Sequence, residues 1–353
     1  MKEKIILFGA GEIGREALAF LRSQGTEPLC FADNDPARQC TVIDGVYVHA
    51  TVAARYAYPD ATWVATVLSL PASEEVPRMM REMGVKTIPL WKVLPPTRED
   101  APYRFGARLG RWPLPAAFNR VAAIINDSES GIAITEQNDF YCRPDYDNPN
   151  NHFRPLSEIY FPDFIKKRDD ECFMDCGAAG ADHEECSTFL KLWPSYREII
   201  LIEPDYQNWL HLHDAYDGDE TIQVLNCAIS DHTGKDSFLS TGDYCARLGE
   251  AGLKDSTLGS VACMKIDDLS KTPTFIKMDV EGSEPEALWG ARRTIREHSP
   301  VLAICCYHET EHFWQIPLLI HALNPSYKLF FRRYAPVPFE LIMYAVPPDR
   351  LLL

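Results

Sequence analysis

Two groups of residues have the types and spacing to do chemistry. The first is Asp175-x-Gly177-Ala178-x-Gly180, followed by Glu203. Glycines at 177 and 180 let the backbone approach a bound molecule with no Cβ in the way. Glu203 lies about 20 residues further on, where an acid at a strand tip clamps ribose hydroxyls. The second group is Asp279, Glu281 and His308, which follow the apolar runs Thr274–Met278 and Val301–Tyr307. An imidazole of near-neutral pKa suits removal of a proton from a hydroxyl, so His308 is the candidate general base. Asp279 and Glu281 are placed to position an acceptor or an amine. The three could instead share a divalent cation, but nothing in the spacing demands it, and no metal is expected.

The acid in front of the first glycine decides between ligands. The dinucleotide fingerprint is G-x-G-x-x-G, without an acid at that place. An aspartate aimed at the turn repels a pyrophosphate and attracts the ammonium of a methionyl group. The pattern therefore favours S-adenosylmethionine over NAD.

These residues need a scaffold that brings strand ends to one edge. Cys172–Asp175 reads as a buried strand, followed by a helix over His183–Leu192 that Pro194 closes. Strand Ile199–Ile202, helix Tyr206–Tyr216, strands Gln223–Ala228, Lys235–Leu239 and Val261–Ile266, and strand Thr274–Met278 follow. A helix over Ser283–Glu297, strand Val301–Tyr307, helix Phe313–Leu323 and a hairpin Tyr327–Tyr334/Phe339–Val346 complete the order. Alternating strands and helices give a parallel sheet, and the terminal hairpin adds a reversed strand. A seven-stranded sheet with one antiparallel strand near its edge is the Rossmann-like class I methyltransferase architecture.

A second nucleotide signature opens the chain. Gly9-Ala10-Gly11-Glu12-Ile13-Gly14 is a complete G-x-G-x-x-G between strand Lys4–Phe8 and a helix running to Ser23, and Asp33 ends the strand after it. Later strands are expected at Ala61–Leu68 and Lys86–Pro89, with a helix over Ser73–Met83 between them. This predicts a small doubly wound Rossmann-like domain over 1–92, with a nucleotide as candidate ligand on Gly9, Gly11, Gly14 and Asp33. Residues 93–157 read as a proline-rich connector with a helix at Ala116–Asn126 and a candidate lid at Asn138–Pro155. The last domain, 158–353, is entered by a short helix over Ser157–Lys167.

From about residue 158 to 347 the chain resembles the FkbM methyltransferases. The resemblance rests on Phe173–Asp182, Ile202-Glu203-Pro204-Asp205, Cys227-Ala228-Ile229-Ser230-Asp231, Lys265–Leu269, Lys277-Met278-Asp279-Val280-Glu281-Gly282-Ser283-Glu284 and the tail Tyr307-His308, Trp314–Pro317, Tyr334 and Leu341–Tyr344. It implies transfer of a methyl group from S-adenosylmethionine to a hydroxyl of a sugar or polyketide. It adds Pro204, Ala228 and Ile229 to the cofactor set of Asp175, Gly177, Ala178, Gly180, Glu203 and Asp279. Glu309 and Arg332-Arg333-Tyr334 depart from the family pattern and bear on the acceptor. Two other classes stay open from the N-terminal fingerprint: an NAD-linked oxidoreductase and a nucleotide-sensing protein.

Composition narrows the partners. Net charge is −16, and residues 1–92 hold 10 Lys and Arg against 11 Asp and Glu. The excess acid lies beyond them, which argues against nucleic acid and anionic membranes as partners. The expected partner is a small-molecule or glycan acceptor, and a homo-oligomer is allowed. Eleven cysteines, with no C-x-x-C pair, read as reduced thiols of a cytoplasmic protein. A zinc site at Cys172, Cys176 and Cys186 is disfavoured, because two of the three fall in a buried strand. The run Ile5–Phe8 is too short for a signal-peptide core, and no membrane span is expected.

Overall fold

The computed structural model describes residues 4–67, 76, 78–88, 90–93, 115–142, 152–178, 184–240, 247–248, 257–309, 311–335 and 339–352. The chain divides into two compact units. The first contains Met1–Trp112, and the second contains Pro113–Asn138, His152–Tyr334 and Pro338–Leu353.

In the first unit, strands β1 (Ile5–Phe8), β2 (Cys30–Asp33), β3 (Val42–Ile43), β4 (Val46–Ala50), β5 (Thr62–Ala65) and β6 (Lys86–Ile88) form one sheet in the order β3-β4-β2-β1-β5-β6. All pairs are parallel except β3–β4. Ile5, Leu7, Phe31 and Val64 pack on one face against Ala17, Leu18 and Leu21 of helix Glu12–Ser23. Ile6, Phe8 and Trp63 form the other face. The hairpin β3–β4 and the helix Thr51–Ala57 were not expected. Their local signal was Asp44-Gly45, a turn pair in which both residues take positive φ.

The second unit is built on β7 (Cys172–Cys176), β8 (Glu198–Ile202), β9 (Ile222–Leu225), β14 (Phe275–Met278), β15 (Val301–Cys305), β16 (Lys328–Arg333) and β17 (Leu341–Val346). Their order is β16-β17-β15-β14-β7-β8-β9, and β17 runs against both its neighbours. The other pairs are parallel. This is the expected seven-stranded sheet with one reversed strand. Between β9 and β14, strands β10 (Ala228–Ile229), β11 (Gly234–Ser240), β12 (Arg247–Leu248) and β13 (Thr257–Met264) make a separate four-stranded sheet. Phe161, Phe173, Phe189, Trp193 and Phe275 pack as one aromatic cluster beside β7.

Three expectations need correction. The single helix over Ser283–Glu297 is two, Glu284–Gly290 and Arg292–His298. The carboxylate of Asp267 accepts from the backbone N–H of Arg293 and of Thr294, both at 2.9 Å, and so caps the second helix from a distant loop. A Cβ on Gly290 would lie 2.0 Å from the Ser230 carbonyl oxygen, so the backbones meet at the break. The helix over Ser157–Lys167 is only a 3-10 turn at Leu156–Glu158. Pro162 follows closely, and Tyr160 adopts φ 64°, which no right-handed helix allows. A helix at Ser128–Cys142 was missed, although Asp127 is a legible cap whose Oδ1 accepts from Ser130 N at 2.8 Å. The candidate lid lies largely outside the described residues.

A buried ion pair clasps the two edges of the second unit's sequence together. Arg350 forks onto Glu171 at 2.6 and 3.1 Å, and the Trp193 indole donates to the same carboxylate at 3.1 Å. Glu171 is fully buried.

Candidate active site

The glycine turn leaves β7 at Gly177, where φ is 83°. A Cβ there would stand 1.8 Å from the Asp279 carbonyl oxygen, so the turn and the end of β14 are in backbone contact. The N–H groups of Gly177 and Ala178 donate to the Ile202 carbonyl at 3.0 and 3.1 Å, which draws the end of β8 to the same place. Gly180 lies outside the described residues.

Asp175 does not face a ligand as the sequence suggested. It is 1% exposed, and its Oδ1 lies 2.9 Å from Lys277 Nζ on the neighbouring strand. Lys277 also donates to the Gly177 carbonyl at 2.8 Å. Burial pushes the Asp175 carboxyl up to about 7, against the pull of Lys277. Burial likewise works against the Lys277 ammonium, but Asp175, Glu185 and Asp279 outweigh it and hold the amine above its usual range. The pair supports the turn from beneath.

Glu203 stands at the tip of β8, 3% exposed, and its Oε1 accepts from Asp205 N at 2.7 Å. Burial pushes its carboxyl up to about 7. Asp205 caps the helix Tyr206–Tyr216. Asn226 donates to the carbonyls of Glu203 and Pro204 at 2.9 and 3.1 Å, so the segment leading to Ala228 is held against this corner. Ala228 and Ile229 themselves are buried and pair with Cys263 and Met264 in the second sheet.

At the ends of β14 and β15 the structure brings Asp279, Glu281 and His308 together. His308 Nε2 lies 3.3 Å from Asp279 Oδ1 and 3.6 Å from Glu281 Oε2. Its Nδ1 lies 2.8 Å from Oε1 of Glu284, a fully buried residue. His312 approaches the other Glu284 oxygen at 3.1 Å. In the sequence Glu284 stood out only as the last residue of the Lys277–Glu284 motif, with no site role. Its Oε1 also accepts from Val280 N at 3.0 Å, so it shapes the loop that presents Asp279 and Glu281. Burial opposes a charged His308, but Glu284, Asp279 and Glu281 outweigh it and hold the imidazole well above its usual range. Burial alone would raise Glu284, and His308 and His312 instead hold it below the usual carboxylate range. Asp279, Glu284 and His308 set donor atoms within 4.8 Å of one another.

Two more groups, neither of them a candidate site residue from the sequence, border the cluster. The Tyr160 hydroxyl donates to Asp279 Oδ2 at 3.0 Å. Tyr307 donates to Oε1 of Glu340, whose carboxyl burial pushes up to about 8.

A parallel sheet with one reversed strand, a glycine turn at the end of β7 and acids at the ends of the two strands that flank it define a class I methyltransferase fold. Residues 175–334 match the methyltransferase FkbM domain. The fold is shared with the crystal structure of a methyltransferase FkbM from Methylobacillus flagellatus, with 22% identity, a TM-score of 0.74, and coverage of 97% of this chain and 89% of that one. Two further likenesses are weak. One is UDP-D-quinovosamine 4-dehydrogenase from Vibrio fischeri, at 20% identity over 25% of this chain and 78% of that one, with a TM-score of 0.23. The other is an rRNA methylase from Streptococcus thermophilus, at 10% identity over 54% and 92%, with a TM-score of 0.31. No curated protein matches the chain. S-adenosylmethionine is the methyl donor expected of this fold. Among the described residues no helix is long and apolar enough to cross a membrane.

Asp175→Ala would leave the Lys277 ammonium buried without its counter-charge and with the Gly177 carbonyl as its remaining hydrogen-bond acceptor. The expected cost is about 3–5 kcal/mol, read from the urea midpoint of the full chain. A variant as stable as the parent would show that the pair does not support the turn.

Proposed function

We propose that the second unit methylates a hydroxyl of a sugar or related small-molecule or glycan acceptor, with S-adenosylmethionine as donor. The observation that carries this reading is the convergence of Asp279, Glu281 and Glu284 on His308. It occurs at the sheet edge where the glycine turn and Glu203 also end, the edge that binds ligands in open parallel sheets. The donor set fits: Glu203 is a buried acceptor for ribose hydroxyls, and the excess of carboxylates over His308 and Lys277 suits a cationic cofactor. When bound, S-adenosylmethionine supplies an electrophilic methyl group.

The chain's own part is to orient the acceptor oxygen and take its proton. Glu284 fixes His308 through Nδ1, which leaves Nε2 as the nitrogen that accepts. Asp279 and Glu281 stabilise the ring once it is charged. The sugar class of the acceptor is supported by the family resemblance, and the net charge of −16 disfavours nucleic acid. Free thiols support a reducing, cytoplasmic setting.

A nucleotide at the first unit is a second, independent reading. Gly9 and Gly14 are explained by packing, since a Cβ on Gly14 would sit 2.0 Å from the Gly9 carbonyl oxygen. Gly11 is not: its φ is −75°, and the nearest atom to an added Cβ is Arg38 Nη1 at 3.5 Å. Its bare backbone keeps space open before the helix Glu12–Ser23. Asp33, whose Oδ2 accepts from Ala10 N at 2.8 Å, borders that space.

Three outcomes test these readings on the full chain. His308 is raised from 6.5 and so protonated near neutrality. Since it must lose that proton to act, kcat should climb as pH rises through and above neutral. His308→Gln keeps a hydrogen-bonding group but takes no proton. It should lose about 10²–10⁴ in kcat together with the pH dependence, measured as S-adenosylhomocysteine release over a panel of sugar acceptors. Near-parental turnover would remove His308 from the reaction.

Glu203 must be ionised to accept fully from ribose hydroxyls. Calorimetric affinity for S-adenosylmethionine should therefore weaken by about tenfold per pH unit below about 7, a dependence that Glu203→Gln abolishes. A flat parental profile would exclude the clamp.

Gly11→Val should abolish binding of NAD and ADP while leaving S-adenosylmethionine affinity unchanged. Retained nucleotide binding would exclude the site before Glu12.

A further inference from the structure

The FkbM domain match begins at Asp175, yet one of the groups that touch its reacting cluster comes from the segment before it. Tyr160 is 3% exposed and holds φ at 64°, a left-handed backbone that is rare and strained for an aromatic residue. Such strain persists only where the surroundings over-determine it, and here four contacts do so. The Tyr160 N–H donates to the Tyr344 hydroxyl at 3.1 Å, and that hydroxyl lies 2.7 Å from the Tyr334 hydroxyl. The Lys277 ammonium lies 5.1 Å from the centre of the Tyr160 ring. The ring hydroxyl gives its proton to Asp279 Oδ2 at 3.0 Å, so the Cys305 thiol, 3.4 Å away, is the donor to Tyr160.

We infer that Tyr160 is a positioning residue, which holds Asp279 by Oδ2 and so aims Oδ1 at His308 Nε2. A carboxylate on a short side chain rotates freely about its last bond. With Oδ2 tied to Tyr160, Oδ1 is fixed 3.3 Å from the imidazole. The sequence before the matched domain thus supplies the part that orients Asp279. The inference rests on the reading of Asp279 and His308 as the reacting pair, but its test needs no acceptor.

The experiment is an NMR titration of the His308 ring in the full chain, labelled at histidine and assigned by comparison with His308→Gln. The groups that face this ring are Asp279 and Glu281 after β14, Glu284 and His312 on the flanking helices, and its neighbours Tyr307 and Glu309. Beyond them lie Tyr160, Lys277, Cys305 and Glu340. Tyr160→Phe keeps the ring, its place beside Lys277 and the N–H bond to Tyr344, and removes only the hydroxyl. If Tyr160 positions Asp279, the carboxylate turns away and the His308 midpoint falls relative to the parent. An unchanged or raised midpoint in a folded Tyr160→Phe protein overturns the inference. Should that variant not fold, Tyr344→Phe, which removes the acceptor of the Tyr160 N–H, must lower the midpoint in the same direction, and a midpoint that does not fall overturns the inference equally. Absence of S-adenosylmethionine binding in parent and variant alike would count against the methyltransferase reading, while the shift of the His308 midpoint between the two would still decide the role of Tyr160.

Discussion

A single buried ammonium underlies the second unit's site. Lys277 lies in the middle of the sheet on a strand that is otherwise apolar, Phe275-Ile276-Lys277-Met278. A lysine at 1% exposure is tolerable only if its charge is met, and it is met from three sides. Asp175 comes from the adjacent strand, the Gly177 carbonyl from the turn, and the Tyr160 ring from the preceding segment. The geometry of the turn, the register of β14 against β7 and the placement of Tyr160 are therefore one electrostatic problem with one solution. Moving any of these groups would strand a charge in the interior.

The same logic repeats one layer nearer the open edge with the signs reversed. There three carboxylates surround one imidazole, and the cluster is neutralised from the protein's own stock only in part. A site with residual negative charge is suited to a ligand that arrives positive. The split of the expected helix after Gly290 serves this arrangement, because it lets Glu284 open one short helix while Asp267 caps the next.

Much of this was legible before the structure. Strand ends at Asp175, Glu203, Asp279 and His308 follow from apolar runs that stop at polar residues, and the parallel order follows from alternation. The fold class and the meeting of Asp279, Glu281 and His308 came from those signals. What the sequence did not reveal depends on the third dimension. Asp175 reads as ligand-facing until β-pairing sets Lys277, distant in the chain, beside it. A lysine within an apolar strand was itself a signal of a buried partner. Glu284 is one residue of a motif in the sequence, because nothing local says that two histidines from later elements turn toward it. Tyr160 gave no signal, since a left-handed backbone at an aromatic residue has no sequence signature. In the first unit the Asp44-Gly45 turn was a readable hairpin cue, whereas the packing role of Gly14 is visible only once Gly9 lies against it.

The clasp between Glu171 and Arg350 has a temporal side. Glu171 sits at the start of the first strand of the seven-stranded sheet, but its counter-ion is made 179 residues later. While the chain is being synthesised, a carboxylate destined for full burial has no such partner until residue 350 has left the ribosome. Until then the Trp193 indole and the Thr274 hydroxyl are the groups that can donate to it, and neither carries a charge. Arg350 follows β17, so every strand of the sheet is synthesised before this ion pair can form. A nascent chain stalled or cut short of Arg350 would present an unfinished core to the cell's quality control.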